Sequence, residues 1–525
     1  MSAKPTLGAD VFPSTDVFHT AAAMKAPSAP AAGVLLLVLV LFVLACGGPL
    51  QFRGGPSGAE RRLAEDISRI LDHPELAPMT VGVKVVSPVT GQVLFARHSS
   101  GLFHPASNTK LFTAMGVLRT MGPGYRYLTS VFADGDAYAG SDTLHTSLYL
   151  LGRGDPMLES AHLDSLAGVV ADLVSGSYGA RVIAGDIVVD DAYLDEVPYG
   201  EGWMWDDVQY SYSASLNALS VNGNSVKIGI SPGAAVGAPV TVRVDPPTTS
   251  VTFIVEALTA AAGDTSTAEP IRIERDWPSR SNRITITGRV AMDAGEREYF
   301  RSVEAPGLYA GKLFRDKLQA SGVRVTGTVR RGVTPTRART VATYRSPPVT
   351  GALVRLLKYS HNLTAELLIK TMGRHTTGEP GSSADGLAAL RQVLADYIGL
   401  DPDAYRFADG SGLSWYNYVS PDQVAALLTA AYHDPLIGAD FREALPVAGE
   451  DGTLANRMKD TAAMGNLRAK TGTLTGVSCL SGYVHTLDGE PLVFSIMINN
   501  FVGPASTARR AQDAIGVLLA GFSRK

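Results

Sequence analysis

The two ends of this chain carry matching elements, and this feature constrains the fold more than any other. Near the start, the apolar runs MTVGVKVVSP and GQVLFARH flank a turn at 88–91 and predict a strand pair. Near the end, VSCLSGYVHTLDGEPLVFSIMINNF predicts a strand, a turn and a strand, followed by a helix over 506–521. Between them, residues 136–344 contain short strand-like runs separated by Gly, Pro and Asp. We therefore expect one core built from both ends, with a long insertion between them.

The length of the chain supports this division. A single hydrophobic core stops growing at roughly 250 to 300 residues, whereas this chain has 525. We predict a leader over 1–46 and a Gly/Pro-rich linker over 47–58. One lobe combines 59–135 with 345–525, and the β-rich insertion over 136–344 forms one module or two.

The leader contains an uninterrupted apolar block from Val34 to Ala45. A spanning helix needs about 20 apolar residues, whereas a secretory signal needs about 7 to 15, so the block predicts export to the cell envelope or periplasm. The stretch before it is long for a signal, which leaves both Met1 and Met24 open as the start. Cys46 follows Ala45, so the sequence is compatible with lipidation of Cys46, which would anchor the protein, or with plain cleavage after Ala45.

The charge, the cysteines and the histidines of the chain exclude several classes of protein. The chain has 46 basic and 50 acidic residues, a net charge of −4, and no long run of one sign, so we expect no nucleic-acid partner. Its only cysteines are Cys46 and Cys479, which argues against a disulfide framework and predicts a lone buried thiol at Cys479. The ten histidines show no HExxH motif or clustered ligand spacing, so we expect neither a metal nor a cofactor.

The stretch PASNTKLFTA holds the only serine in the chain that has a lysine three positions on, Ser107 with Lys110. Apolar periodicity closed by Gly122 predicts a helix that begins near Ser107. Residues three apart lie on one face of a helix, so the Lys110 amine can reach the Ser107 hydroxyl and, if neutral, can take its proton. Alone the pair is weak evidence, because chance produces about one such spacing in a chain of this size and a surface lysine beside an N-cap serine is common.

Two further motifs follow in order. KYSHNLTAEL holds Ser360 and Asn362, and NLRAKTGTLTG holds the run 470–473 just before the closing strand pair. Serine-x-x-lysine, serine-x-asparagine and lysine-threonine-glycine, in this order, resemble the triplet of the penicillin-binding protein and serine β-lactamase superfamily. The segments LLGRGDPML, GDIVVDDAYLDE, FADGSGLSWYNYVSP and GEDGTLANRM, together with the long gap before Ser360, resemble the penicillin-binding protein 4 type of D-alanyl-D-alanine carboxypeptidase and endopeptidase, peptidase family S13.

The resemblance implies an α+β fold: a β-lactamase/transpeptidase-like domain, with an antiparallel sheet flanked by helices and a helical subdomain, carrying a large β-rich insertion. It also implies a serine DD-peptidase that cleaves D-Ala-D-Ala termini or D-Ala-mesodiaminopimelate cross-links of peptidoglycan stem peptides through an acyl-enzyme. Covalent binding of β-lactam antibiotics would follow from the same chemistry.

The resemblance assigns a role to each motif residue. Ser107 would be the nucleophile and Lys110 its base. Ser360 would pass a proton to the leaving amine, and Asn362 would hold Lys110 and the substrate amide. Lys470 would meet the substrate carboxylate and help to keep Lys110 neutral by like-charge proximity.

The remaining motif positions would complete substrate binding. Thr471 and Thr473 would add hydroxyl contacts to the carboxylate, and Gly472 would let the substrate backbone lie against the strand edge. The resemblance implies an oxyanion hole made by the backbone N–H groups of Ser107 and Thr473.

Two other functions stay open on the sequence: a slow β-lactamase, and a catalytically idle peptidoglycan-binding envelope protein. A serine-histidine-aspartate site is disfavoured, because the lysine already supplies a base. Other residues beside the motifs or in loops are expected not to catalyse. The histidines His104 and His361 are expected to pack or to lie at the surface, Asp190 and Asp191 to be solvated, Trp203 and Trp205 to pack, and Asp409, Ser411 and Asn417 to make turns.

Overall fold

The structure is a computed structural model that describes residues 57–135, 141–263 and 270–525. Strands occupy both ends of this part of the chain and most of the predicted insertion. They are β1 Thr80–Val86, β2 Val93–Arg97, β3 Leu128–Ala133, β4 Thr143–Leu144, β5 Leu148–Leu151, β6 Val182–Ile183, β7 Ile187–Asp190, β8 Ser225–Ser231, β9 Thr241–Asp245, β10 Thr252–Val255, β11 Leu258–Ala260, β12 Arg272–Arg275, β13 Arg283–Thr287, β14 Arg289–Ala291, β15 Arg297–Ser302, β16 Arg324–Val325, β17 Val329–Arg331, β18 Arg339–Arg345, β19 Arg468–Leu474, β20 Val477–His485 and β21 Pro491–Asn499.

Helices separate the strands and dominate residues 349–443. They are α1 Gly58–Leu71, α2 Thr109–Met121, α3 Ser160–Asp172, α4 Pro306–Ala320, α5 Val349–Leu357, α6 Asn362–Thr377, α7 Ser383–Val393, α8 Pro421–His433, α9 Gly438–Glu443 and α10 Ser506–Ala520.

One five-stranded sheet, in the order β19-β20-β21-β1-β2, joins the two ends of the chain. All its pairs are antiparallel, and β1 lies directly against β21 with Val83 opposite Ile496. The strand pairs predicted at the two ends therefore form one sheet. β19 is an edge strand, so one of its sides faces outward from the sheet.

Both faces of this sheet are covered by helices. Alternate side chains of a strand point to opposite faces. Leu480 and Ile496 pack in a core with α1 and α10, whereas Cys479 and Met497 pack in a second core with α2 and α8. Cys479 is a buried free thiol, as the sequence predicts. The sheet thus sits between two helical layers, the arrangement expected for the predicted α+β class.

The helix α2 lies in the centre of its layer. Every residue from Thr109 to Leu118 is buried, including Lys110, and a helix that is apolar on nearly all sides is stable only in such a position. A single turn of 3₁₀ helix, Ala106–Asn108, precedes it and carries Ser107. This turn places Ser107 at the N-terminal end of a buried helix.

The insertion builds its own core. A mixed sheet in the order β17-β7-β5-β3-β18 packs with α3 and α4, and smaller sheets extend it. Leu128 of β3 pairs with Arg345 of β18, so the inserted sheet begins ahead of the predicted start at 136. β3 and β18 lie side by side, and this brings the chain back to the lobe that it left.

The predicted leader over 1–46, with Met24 and Cys46, lies outside the described residues. Among the helices of the described part, none combines the length and the apolar character that a membrane span requires.

Candidate active site

The Ser107–Lys110 pair forms as the helical spacing predicts. Lys110 Nζ lies 3.0 Å from Ser107 Oγ. The same nitrogen lies 2.7 Å from Asn362 Oδ1 and 2.5 Å from the Ser411 carbonyl oxygen. A neutral amine has two N–H donors and one lone pair, and the two acceptor oxygens use both donors. The lone pair is then left to accept the proton of the Ser107 hydroxyl.

Burial favours this neutral form. Lys110 is fully buried, and the loss of hydration lowers its pKa to about 7. The carboxyl groups of Asp409 and Glu366 act in the opposite direction and raise the pKa of Lys110. The amine is therefore poised near neutral pH, where a general base is most effective.

Ser360 and Lys470 form a second serine–lysine contact beside the first. Lys470 Nζ donates to Ser360 Oγ at 2.9 Å and to the Thr471 carbonyl at 2.8 Å. Ser360 has φ +57°, a left-handed conformation that costs energy in a residue other than glycine. Strain of this kind, held by the surrounding structure, is common where a side chain must be presented to a site.

The two lysines are coupled by charge as well as by burial. The pKa of Lys110 is lowered first by burial. The pKa of Lys470 is itself lowered, first by burial and then by the charge of Lys110. Repulsion between two buried, charge-coupled amines acts on both of them, so it favours a state in which only one carries a positive charge.

Asn362 contacts Lys110 as expected, but its amide nitrogen does not point into open space. Asn362 Nδ2 donates to the Tyr212 carbonyl at 2.8 Å. The asparagine thereby connects the helix α6, which it begins, to the insertion. An amide NH₂ group has two N–H donors, and Asn362 also lines the cleft, so the second N–H stays available for the predicted contact with a substrate amide.

The run 470–473 lies on the edge strand β19, against the turn that carries Ser107. A Cβ atom at Gly472 would lie 2.7 Å from the Pro105 carbonyl oxygen and 3.2 Å from the Ser107 nitrogen. Glycine is therefore required here by the approach of the Ser107 turn, a reason that the sequence does not reveal. Thr471 Oγ1 donates to Thr453 Oγ1 at 2.8 Å, and Thr473 is exposed at the cleft.

The loop 408–417 does more than make turns. Asp409 is fully buried, and its carboxylate accepts hydrogen bonds from six groups. The donors are Ser411 Oγ, Asn417 Nδ2, Trp203 Nε1 and the backbone N–H groups of Gly412, Leu413 and Ser414. This network fixes the loop that presents the Ser411 carbonyl to Lys110. Asp409 thus positions the carbonyl group that contacts Lys110.

A cleft of about 620 Å³ opens at these groups. The lobe that combines 59–135 with 345–525, called the catalytic lobe from here on, contributes motif and loop side chains, among them Ser107, Ser360 and Thr473. The insertion supplies a further wall, made of Met204, Asp206, Asp207 and Tyr212. The insertion therefore takes a direct part in the cleft.

The histidines near the motifs lie outside the serine–lysine contacts. His361 caps the helix α6 by accepting from the Thr364 N–H, and burial lowers its pKa to about 4. His104 packs its ring against Trp415 and Tyr418. Both are structural, as the sequence suggests.

The acidic pair at 190–191 is also structural, although it is buried rather than solvated. Asp190 accepts the Thr334 N–H at 2.7 Å, and Asp191 accepts from Arg331 and Asn217. Asp206 and Asp207, which sequence reasoning did not single out, are the carboxylates that line the cleft.

Glu366 is a further buried residue near the site that the sequence did not indicate. Burial raises its pKa to about 8, and Glu366 Oε1 accepts the Gly410 N–H at 3.0 Å. The only signal available was its position four residues after Asn362, one helical turn along α6 and on the same face. The acidic pair 206–207 lies in WMWDDVQYSYS, where the density of aromatic and acidic residues was the available signal.

Comparisons with known proteins agree with this geometry. The model of the D-Ala-D-Ala carboxypeptidase 3 (S13) family matches residues 63–521. A D-alanyl-D-alanine carboxypeptidase of Actinomadura sp. (strain R39) is 38% identical over 482 residues, covering 89% of this chain and 86% of that protein. D-alanyl-D-alanine carboxypeptidase DacB of Haemophilus influenzae is 25% identical over 414 residues, covering 78% of this chain and 83% of that protein.

Among solved structures, penicillin binding protein 4 (dacB) from Haemophilus influenzae superposes with a TM-score of 0.74 at 22% identity. The match covers 87% of this chain and 99% of that chain, and it confirms the predicted fold class. Together with the family model and the relative of 38% identity, it settles the relationship. The chain belongs to the D-Ala-D-Ala carboxypeptidase 3 (S13) family.

Proposed function

We propose that this protein is a serine DD-peptidase that acts on peptidoglycan stem peptides through an acyl-enzyme on Ser107. The observation that carries the proposal is the environment of Lys110. Its two N–H donors are engaged by Asn362 and Ser411, and its lone pair faces the Ser107 hydroxyl at 3.0 Å. Family membership supplies the reaction class.

In the proposed reaction, Lys110 takes the proton of Ser107 Oγ as this oxygen attacks the carbonyl of the penultimate D-alanine. The backbone N–H groups of Ser107 and Thr473 stabilise the oxyanion. Ser360 relays a proton to the nitrogen of the leaving D-alanine, since a hydroxyl can donate and accept at once. Water then hydrolyses the ester and restores the free serine.

Lys470 and the hydroxyls of Thr471 and Thr473 would bind the carboxylate of the terminal D-alanine. A carboxylate beside Lys470 favours its charged form and raises its pKa. Binding would therefore place the positive charge on Lys470, and this charge would then favour neutral Lys110. The like-charge effect expected from the sequence would operate in the substrate complex.

The cleft wall from the insertion favours a cationic group on the substrate. Asp206 and Asp207 both line the cleft, and Asp207 also accepts the Tyr212 hydroxyl. An amine on the third stem residue, such as that of mesodiaminopimelate, would meet these carboxylates. The same cleft would accept a cross-linked peptide, so cleavage of cross-links belongs to the proposal.

β-Lactams would acylate Ser107, because their amide is an acyl donor of the same shape. A structure of the Haemophilus influenzae relative is described as complexed with a novel beta-lactam. Export follows from the apolar block at 34–45, which would direct the protein to the envelope, with a lipid anchor if Cys46 is processed as in lipoproteins.

The test is hydrolysis of two purified muropeptides, one ending in D-Ala-D-Ala and one cross-linked dimer, followed by chromatography. Wild-type protein should release D-alanine from the first and monomers from the second. Ser107→Ala should do neither. A wild-type protein that binds both muropeptides without turnover would instead support an idle peptidoglycan-binding protein.

A further inference from the structure

Two tryptophan rings stand at the surface of the insertion. Trp205 is 69% exposed, and its ring centroid lies 5.0 Å from that of Trp277 with the planes tilted by 58°. An indole left in water forfeits the free energy of burying a large apolar surface. Trp277 is half-buried, so an exposed indole packed on a half-buried one marks a surface that is covered by something else in function.

This pair adjoins the active-site cleft. Met204 and Asp206, the chain neighbours of Trp205 on either side, both line the cleft that contains Ser107. Met204 and Tyr212 are themselves 48% and 44% exposed. Exposed side chains with apolar surface thus line the cleft beside the segment that carries Trp205, which places the tryptophan pair at the rim of the same site.

The segment that carries Trp205 is held on both sides. Toward the catalytic lobe, Trp203 Nε1 donates to Asp409 at 2.9 Å. Toward the second part of the insertion, the buried guanidinium of Arg275 donates to the Val208 carbonyl at 2.9 Å. Arg275 is two residues from Trp277, so this hydrogen bond joins the two segments that carry the rings. A surface held in place before binding loses little entropy when a ligand arrives.

We infer that Trp205 and Trp277 form a platform for a sugar ring of the peptidoglycan glycan strand. This inference rests on the proposed function, because the stem peptide in the cleft is attached to that strand. An extended peptide advances about 3.3 to 3.6 Å per residue, so a stem of about four residues puts its sugar on the order of 13 Å from the acylated carbonyl. The sugar would then emerge at the rim rather than within the cleft.

The chemistry of the two surfaces is complementary. The face of an indole ring carries partial negative charge, and the C–H groups on one face of a hexosamine carry partial positive charge. Stacking would cover the exposed ring of Trp205 and the open part of Trp277 while the sugar hydroxyls stay in water. A peptide without sugar would leave the platform uncovered, so the platform selects for glycan-linked substrates.

The first experiment compares two substrates with the same peptide, one free and one linked to the peptidoglycan disaccharide. Trp205→Ala and Trp277→Ala should each lower kcat/KM for the disaccharide peptide about tenfold, through KM, and change it less than about twofold for the free peptide. Leu487→Ala is the matched control, because Leu487 is also 69% exposed and does not line the cleft. Trp205→Phe should recover part of the loss.

Equal losses on both substrates, or no loss on the disaccharide peptide, would overturn the inference. Wild-type protein that hydrolyses neither substrate would refute the proposed function, and the platform is then judged by binding alone. Peptide-free glycan strands should bind Ser107→Ala protein and quench its tryptophan fluorescence, and adding Trp205→Ala should abolish the quenching. Binding to phospholipid vesicles in place of glycan strands would assign the rings to a membrane surface and refute the inference.

Discussion

At the scale of single residues, the site depends on where one proton resides. Lys110 is fully buried beside a hydroxyl, an amide oxygen and a carbonyl oxygen, and burial favours a neutral amine over an ammonium ion. Loss of hydration lowers its pKa, while Asp409 and Glu366 prevent it from falling further. The balance gives a pKa of about 7.

The pH dependence of acylation follows from this balance. The base must be neutral, and it gains a proton as the pH falls through about 7. The acylation rate should therefore be constant above about pH 8 and fall about tenfold per unit below about pH 6. Stopped-flow measurement with a β-lactam checks the profile, and Lys110→Arg should show no acylation because a guanidinium stays protonated. A flat profile down to about pH 5 would exclude Lys110 as the base.

Asp409→Asn tests the positioning network. The amide keeps the shape of the carboxylate but turns an NH₂ group toward N–H and O–H donors, which costs about 1–3 kcal/mol for each unsatisfied group. It also removes a negative charge that raises the pKa of Lys110. The variant should lose thermal stability and activity, and the acidic limb of its pH profile should move to lower pH.

Asp434→Asn is the control for that variant. Asp434 is a second buried carboxylate, bound by Tyr397 and by two backbone N–H groups near the end of α8. The control should lose stability without any displacement of the acidic limb. An unmoved limb in Asp409→Asn would show that its charge does not act on Lys110.

At the scale of elements, the site lies where a buried helix, a helical turn and an edge strand meet. The helix α2 supplies Lys110, the N-terminus of α6 supplies Asn362, and the edge strand β19 supplies Lys470. The close approach of β19 to the Ser107 turn is possible only because residue 472 is glycine. An edge strand leaves backbone groups free for an extended peptide.

Gly472→Ala tests this contact. The new methyl group would meet the Pro105 carbonyl oxygen at 2.7 Å, a backbone atom that cannot move aside cheaply, so β19 must shift away from Ser107. Misplacement on the order of 1 Å costs about 100-fold in rate, and we expect that loss in acylation with the fold preserved by circular dichroism. Gly124→Ala, where a Cβ meets nothing within 4 Å, should acylate normally. Normal acylation by Gly472→Ala would remove the geometric constraint.

At the scale of the whole molecule, side-chain contacts join the insertion to the catalytic lobe. The buried Lys370 of α6 pairs with Asp195 and donates to the Val197 carbonyl at 2.8 Å. Trp203 and Tyr212 make two further contacts to the catalytic lobe. The cleft therefore needs both the insertion and the catalytic lobe. Loss of one contact between them should lower the free energy of unfolding.

Asp195→Ala tests that coupling. The substitution leaves the Lys370 ammonium buried without its carboxylate, which costs about 3–5 kcal/mol when one partner of a buried pair is removed. Urea denaturation should show a loss of this size in the free energy of unfolding. Asp66→Ala, which breaks the exposed pair of Asp66 with Arg69, should leave the midpoint unchanged. Equal behaviour of the two variants would mean that the buried pair does not couple the lobes.

The sequence predicts the parts of this molecule that depend on local chemistry. The terminal strand pairs follow from alternation, and Ser107 with Lys110 follows from the helical spacing. The Ser411 carbonyl could not be found in this way, because every residue has a carbonyl and only the fold decides which one faces Lys110. Glu366 appeared as an ordinary polar residue of a helix, since its burial depends on distant segments.

The requirement for glycine at 472 was missed for a similar reason. The close contact joins two segments that are remote in sequence, and no local pattern encodes it. The cleft wall from the insertion likewise depends on how one long inserted segment returns to the lobe. Sequence patterns thus indicate the chemistry of the site, whereas tertiary packing determines its pKa values and its walls.

The central claim is that the Ser107 hydroxyl, deprotonated by Lys110, becomes the acylated atom. The most direct measurement is mass spectrometry of the protein after brief exposure to penicillin, with peptide mapping of the adduct. The account predicts one penicilloyl group per molecule, on the peptide that contains Ser107, and none on the Ser107→Ala protein. An adduct mapped to another residue, or one that persists in Ser107→Ala, would contradict it.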